Sequence, residues 1–197
     1  MIKNFGTPSL EWTVLAVVAA LSLVTACGDM HTYKIRGDSG GASEPLTSWN
    51  GTFVELVRAA TPCDSEDSEG LIVIVCDQVE VPGGEIPKLK SSCSGGSEAE
   101  VTIDILAGRS IIYDFSSVTT AGVFKAAKFN GYVFTELVDA APDIVSATVD
   151  RGVSTLDLDD DALSVDGHTL WANFESIPFD DTSFVKIDLV FAEPDEL

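Results

Sequence analysis

Apolar residues recur at every second position through much of the chain after residue 100, and this period of two constrains the fold more than any other sequence feature. Val101, Ile103 and Ile105 alternate with Thr102 and Asp104 in the first such segment. Because successive side chains of a β-strand point to opposite faces, the alternation predicts strands with one buried and one solvated face. The segments with this pattern are Val101–Ile105, Ile111–Phe115, Val145–Val149, Leu156–Leu158, Leu163–Val165 and Val185–Phe191.

Turn residues and two further segments extend this pattern. Asp166-Gly167 lies between two alternating runs and predicts a tight hairpin, and Asn130-Gly131 predicts a second one. Leu71–Val75 is apolar on both faces, which is typical of a central strand. Thr52–Ala60 fits either an opening strand or a short helix.

Short strands joined by such turns favour a two-sheet architecture. We expect an all-β fold, an antiparallel β-sandwich of roughly 7–10 strands, with a β-barrel as the alternative. Residues 51–197 are long enough for one such domain. The hydrophobic content of 45% against 22% charged residues supports a folded core rather than a disordered chain.

The N-terminal segment has a different character. Trp12–Val24 is apolar and carries no charge, and Lys3 precedes it. This stretch is shorter than the roughly 20 apolar residues that a membrane-spanning helix needs, but its length suits the core of a signal peptide. We therefore expect residues 1–26 to be an export signal.

The residues that follow carry a family resemblance. Leu23-Val24-Thr25-Ala26-Cys27 resembles the lipobox of bacterial lipoproteins, in which small residues precede the cysteine that becomes the new N-terminus. The resemblance implies cleavage between Ala26 and Cys27 and attachment of diacylglycerol to the sulfur of Cys27. It also implies residence in the cell envelope, and Gly28 directly after the cysteine favours the outer membrane over the inner one. Residues 27–50, rich in Gly, Ser, Asp and Thr, are then the lipidated cysteine and a flexible tether.

Charge excludes one class of partner. The chain has 11 Lys and Arg residues against 32 Asp and Glu residues, a formal net charge of -21. Such a field repels phosphate backbones, so we expect no nucleic-acid partner. The expected contact with a membrane is through the lipid anchor alone.

Three cysteines remain once Cys27 is assigned to lipid. They are Cys63, Cys76 and Cys93, an odd number in a chain expected to reach an oxidising compartment. One disulfide is predicted, and the spacing leaves all three pairings open.

Candidate chemistry is sparse. The sequence contains no HExxH, no GxSxG and no phosphate-binding glycine loop, and His168 is the sole histidine of the predicted domain, placed after a tight turn where exposure is expected. Asp157, Asp159 and Asp161 occupy alternate positions, so in an extended strand they would share one face and could hold calcium. No other cofactor is expected.

These patterns favour a non-enzymatic module used for binding, adhesion or as an accessory subunit, with an unknown protein or glycan ligand. Trp171, in phase with Asn173 and Glu175 rather than with the apolar positions, could stack on a sugar ring. The alternatives are a polysaccharide hydrolase that uses paired carboxylates and a calcium-stabilised structural domain.

Overall fold

The computed structural model describes residues 46–61, 71–76, 79–81 and 101–193, all of which belong to the unit Gly40–Leu197. Among these residues no helix has the length and apolar character needed to cross a membrane. The regular secondary structure of the described residues consists of strands and one short 3-10 helix. The strands are β1 Phe53–Thr61, β2 Leu71–Ile74, β3 Thr102–Leu106, β4 Ser110–Asp114, β5 Gly122–Val123, β6 Phe129–Glu136, β7 Ile144–Val149, β8 Leu163–Asp166, β9 Thr169–Asn173, β10 Pro178–Phe179 and β11 Phe184–Phe191, and the helix is Asp160–Ala162.

The strands form two large antiparallel sheets. The order in the five-stranded sheet is β2-β1-β6-β9-β8, and in the four-stranded sheet it is β3-β4-β11-β7. The short strands β5 and β10 pair with each other. The sheets do not close into a barrel, so the predicted all-β sandwich is confirmed over its barrel alternative.

The inner faces of the two sheets meet in one apolar core. Tyr113 of β4 packs against Tyr132 and Phe134 of β6, with ring centroids 5.2 and 6.1 Å apart. Ile103, Ile111 and Ile187 on the four-stranded side are fully buried. Burial alternates along the strands as the period of two predicted, for example buried at Ile103 and Ile105 and half-buried at Asp104.

Isolated backbone contacts involve edge strands on both sides of the sandwich. On one side Val81 pairs with Ile103 of β3 in a single bridge. On the other side β7 and β8 approach each other, and the Ile144 N–H donates to the Gly167 carbonyl at 2.9 Å.

Trp49 belongs to this domain, although its position within residues 27–50 predicts that it is part of the tether. Its side chain is 0% exposed, and its ring lies 6.1 Å from that of Phe191 in an edge-to-face contact. The Trp49 N–H donates to the Gly108 carbonyl at 3.1 Å. The folded part of the chain therefore includes residues before position 51.

Two expectations about strand position are wrong. The predicted turn at Asn130-Gly131 lies inside β6, because Gly131 pairs with Asn173 and its missing side chain makes room for the Ala172 carbonyl. Among the described strands, β2 is at the end of the sheet order rather than in its centre, and its four residues are half-buried.

The predicted strand at Leu156–Leu158 is also absent, although both leucines are buried as expected. The Leu158 N–H turns back to the Leu156 carbonyl at 2.9 Å, which interrupts any ladder at this point. Thr52–Ala60, by contrast, corresponds to strand β1 rather than to a helix.

Candidate functional site

The outer face of the five-stranded sheet carries an unusual row of apolar side chains. Directly opposite residues of neighbouring antiparallel strands project to the same face. By this rule Trp171 of β9 lies beside Ser164 of β8 and Val133 of β6, and Val133 lies beside Val57 of β1. Trp171, Val133 and Val57 are each half-buried, so they shield one another without being covered completely.

A polar row runs next to it. Asp166, Thr169, Thr135 and Glu55 lie side by side across four strands and end at Ile72 of β2. The Thr169 hydroxyl donates to the Thr135 hydroxyl at 3.3 Å. Residues two positions apart on a strand share a face, so this row places hydroxyl and carboxylate groups about 7 Å from the row that contains the Trp171 indole.

A second apolar row lies beyond the polar one. Phe53 pairs with Ile74, and the Leu137 N–H donates to the Phe53 carbonyl at 2.9 Å. We call the surface formed by the three rows the Trp171 face. With strands about 4.8 Å apart and rows about 7 Å apart, it covers on the order of 300–400 Å². None of the residues in its three rows is Lys or Arg.

The outer face of the four-stranded sheet combines the exposed apolar side chains of Leu106 and Val190 with a network of ion pairs. Lys186 lies 3.0 Å from an Asp150 oxygen and 2.9 Å from an Asp188 oxygen, and the Ser110 hydroxyl donates to Asp188 at 2.6 Å. The hydrogen bonds that Lys186 donates to Asp188 and Asp150 raise the pKa of Lys186. A solvated ion-pair network of this kind needs no functional explanation. The Trp171 face differs from this surface in having a half-buried tryptophan between an apolar row and a row of hydroxyl and carboxylate groups, without Lys or Arg.

Asn173 has a structural part in this region. Its side-chain oxygen accepts hydrogen bonds from the Asn130 N–H at 2.9 Å and from the Glu175 N–H at 3.2 Å. The prediction that Trp171 and Asn173 share an outward phase agrees with the register of β9. The amide therefore fixes the end of β9 beside the tryptophan.

His168 lies in surroundings that differ from the expected exposed turn. Its Nε2 is 2.7 Å from an Asp139 oxygen and 3.3 Å from an Asp143 oxygen, and its Nδ1 is 3.8 Å from Glu136 Oε2. The side chain is 25% exposed. None of these three carboxylates is among the residues predicted from the sequence. Glu136, however, follows Tyr132 and Phe134 in the apolar phase of β6, and a carboxylate at an apolar position of a strand indicates a buried acidic group.

The three aspartates predicted to hold calcium do not lie in one strand but partly before and partly within the 3-10 helix. Asp157 and Asp159 precede the 3-10 helix and Asp161 lies within it, so they do not alternate along one strand. Asp159 pairs with Arg151 at 3.0 Å, and the intervening Asp160 accepts the Val149 N–H at 2.7 Å. Within the part of the chain that the structure describes, no group of three or more His, Cys, Asp or Glu side chains is arranged to hold a metal ion. Calcium at this position stays a prediction.

Most of the predicted modification sites lie outside the described residues. Ala26 and Cys27, the predicted cleavage and lipidation positions, are among them, as are Cys63 and Cys93. Cys76 follows β2, and its N–H donates to Glu80 Oε1 at 3.1 Å. The disulfide and its pairing therefore stay predictions.

Glu80 joins the two sheets at one side of the sandwich. Its second oxygen accepts the N–H of Ile105 in β3 at 2.6 Å, while the first accepts that of Cys76. Burial raises the pKa of Glu80 to about 7 against the opposing effect of these backbone hydrogen bonds, and Asp104 adds to the rise. Both carboxylate oxygens are thus occupied in bridging the sheets.

Glu80 makes the stability of the domain depend on pH. Because the folded state holds the Glu80 proton more tightly than the unfolded chain does, the free energy of unfolding falls as the pH rises from about 4.5 to about 7. We expect a loss of about 1 to 3 kcal/mol across this window in urea unfolding. Glu80→Gln should flatten the pH dependence while lowering stability at every pH, and Glu55→Gln is the matched control that keeps the wild-type slope. A Glu80→Gln variant with the wild-type slope would contradict the assignment.

The described architecture is thus a two-sheet antiparallel sandwich with an apolar outer face and a histidine enclosed by carboxylates at one end. Neither known protein families, nor curated proteins, nor solved structures give a match to the chain.

Proposed function

We propose that the chain is a lipid-anchored module of the bacterial cell envelope whose β-sandwich binds a neutral glycan through the Trp171 face without converting it. The binding part rests on one observation, the position of Trp171 between Ser164 and Val133 on a sheet face with polar and apolar rows. The anchoring part rests on Cys27 directly after Leu23–Ala26, and the outer membrane is the favoured site.

The chemistry of the Trp171 face suits a carbohydrate. A sugar ring has an apolar C–H side that packs on an indole and hydroxyl groups that hydrogen-bond to neighbouring polar side chains. Thr135, Thr169 and Glu55 supply such groups within the adjacent row. Because no Lys or Arg stands in the three rows and Glu55 and Asp166 do, an uncharged ligand fits better than an anionic one.

The size of the face argues against a stable protein partner. An interface between proteins usually buries about 800 Å² on each side, which is roughly twice the estimated area of the Trp171 face. Pairing two copies through this face would also bring Glu55 and Asp166 of each copy together. A small or linear glycan needs neither the larger area nor a compensating charge.

A hydrolase receives less support. Glycoside hydrolysis needs two carboxyl groups across a cleft, and one of them usually has a raised pKa. Glu80 has such a pKa, but its two oxygens accept backbone N–H groups of Ile105 and Cys76. We therefore assign Glu80 to the fold and the Trp171 face to binding.

Replacement of Trp171 by alanine tests the binding part. The full-length chain is expected to be retarded in gels that contain at least one of three neutral polysaccharides, dextran, mannan and mixed-linkage β-glucan. Trp171→Ala should weaken the affinity at least tenfold, about the loss expected when an aromatic anchor is removed. Ile112→Ala is the matched control, because Ile112 lies on the outer face of the other sheet and should leave binding unchanged.

Chemical unfolding curves of Trp171→Ala and Ile112→Ala test whether the domain remains folded in each variant. Equal retardation of Trp171→Ala and wild type would exclude the Trp171 face as the binding site. If the wild type is not retarded by any of the three polysaccharides, the proposal that the domain binds a neutral glycan is contradicted. The proposed lipid anchor is tested separately.

A further inference from the structure

The end of the sandwich that holds His168 joins three parts of the chain. The β8–β9 hairpin turns at Gly167, whose φ of 54° is in the left-handed region that favours glycine. The Glu136 N–H at the end of β6 donates to the His168 carbonyl at 3.1 Å. The connection of residues 137–143 leads to β7, where the Ile144 N–H donates to the Gly167 carbonyl at 2.9 Å. His168 is therefore fixed at the point where the hairpin, β6 and the connection meet.

Carboxylates face both ring nitrogens of His168. Asp139 and Asp143 approach Nε2 from the connection, at 2.7 and 3.3 Å. Glu136 approaches Nδ1 from β6 at 3.8 Å, with a side chain that is 0% exposed. Glu136 Oε1 accepts the Val138 N–H at 3.2 Å, whereas Oε2 and the His168 Nδ1 are buried without a hydrogen-bond partner.

The protonation state of His168 decides how many of these groups are satisfied. A neutral imidazole carries one N–H and can donate on one side only, while the imidazolium form has two donors. A buried carboxylate without a compensating charge is costly. Among the described residues, no Lys or Arg forms an ion pair with Glu136, Asp139 or Asp143. The protonated ring is the group that can balance the buried Glu136 and hold the connection at the same time.

We propose that His168 and its carboxylates form a protonation-dependent latch that fastens the connection of residues 137–143 to the end of the sandwich. The positive charge of the protonated ring compensates Glu136 on the Nδ1 side and holds Asp139 and Asp143 on the Nε2 side. A neutral ring can donate a hydrogen bond on one of these sides only, so the connection of residues 137–143 opens more often. Histidine is the side chain that ordinarily changes charge between about pH 5 and pH 8, so measurements on either side of this range test the latch.

Other charged groups near the ring have the same sign as its partners. Asp166 in the hairpin turn is exposed, and Glu193 follows Ala192, whose N–H donates to the Asp143 carbonyl at 2.8 Å. Together with the three facing carboxylates they surround the ring with acidic groups. The connection also carries Leu137, which is 42% exposed and borders the Trp171 face through the Phe53 carbonyl. The latch thus lies next to the proposed binding surface but does not depend on it.

Amide hydrogen exchange of the full-length chain at pH 5.5 and pH 8 tests the latch. Protection of the Val138 and Ile144 amides, corrected for intrinsic rates, is expected to fall about tenfold at the higher pH relative to the Ile187 amide in β11. The comparison is made in parallel in Glu80→Gln, whose global stability should not change with pH through Glu80, so that the ratio to Ile187 there reports the connection alone.

Variants of the two histidines separate the latch from other causes. The chain has two histidines, so His31→Gln is the matched control and should keep the wild-type response. His168→Gln should show equal relative protection at both pH values, and Glu136→Gln should do so as well because no buried charge remains to be balanced. Unchanged relative protection in the wild type, or a pH response that survives in His168→Gln, would overturn the proposal.

Discussion

Trp49→Ala is expected to lower the free energy of unfolding by about 3 to 5 kcal/mol, the usual cost of truncating a fully buried large aromatic residue. The side chain is 0% exposed and packs edge-to-face against Phe191 near the C-terminal end of the last strand. Its loss removes apolar contacts and leaves a cavity between the N-terminal residues of the domain and β11. For a domain of this size, the midpoint of thermal unfolding should fall by roughly 10 °C or more.

Trp49→Phe is the matched control for this prediction. The Trp49 Nε1 is buried without a hydrogen-bond partner, so the smaller ring removes an uncompensated donor while keeping the contact with Phe191. We expect a cost well below that of Trp49→Ala. If Trp49→Ala unfolds at the wild-type midpoint, residues 46–50 belong to the tether after all.

Gly131→Ala is expected to cost at least about 3 kcal/mol, because a side chain at this position overlaps the backbone of the neighbouring strand. A Cβ atom on Gly131 would collide with the Ala172 carbonyl oxygen, which cannot move without separating β6 from β9. β6 is the middle strand of the five-stranded sheet, so the distortion reaches both of its neighbours.

The control for Gly131→Ala is Gly152→Ala in an exposed turn. There the nearest atom to an added Cβ is a side-chain oxygen of Asp150 at 3.2 Å, which can move aside. We expect a change within about 0.5 kcal/mol in chemical unfolding. Similar losses for the two variants would mean that the close approach of β6 and β9 is not the cause.

Local patterns predicted most strands because each strand buries one face. Val101–Ile105, Ile111–Phe115 and Val185–Phe191 correspond to β3, β4 and β11 within one residue at each end. Asp166-Gly167 forms the predicted hairpin between β8 and β9. The turn predicted at Asn130-Gly131 is wrong, because Gly131 allows a close backbone contact with β9, a strand that is distant in the sequence.

The candidate surfaces were predictable only in part. The outward phase of Trp171 follows from alternation along β9 alone. Its neighbours Val133 and Val57 follow from the strand order β1-β6-β9, which joins residues that are distant in the sequence and leaves no local trace. The carboxylates around His168 come together for the same reason, although Glu136 in an apolar phase was a sign that the sequence does contain.

The proposed anchor would determine where the domain acts. An acyl chain gains about 0.8 kcal/mol for each buried methylene group, so two or more chains hold a protein stably on a membrane. The cysteine sulfur at position 27 is the single group of the chain to which the resemblance assigns such chains.

Intact-mass and peptide mass spectrometry of the protein from bacterial envelopes tests the proposed lipid anchor. We expect a mature chain that begins at Cys27, lacks residues 1–26 and carries acyl groups on its N-terminal residue, together with loss of membrane fractionation in Cys27→Ala. An unmodified Cys27 with the leader still attached would contradict it.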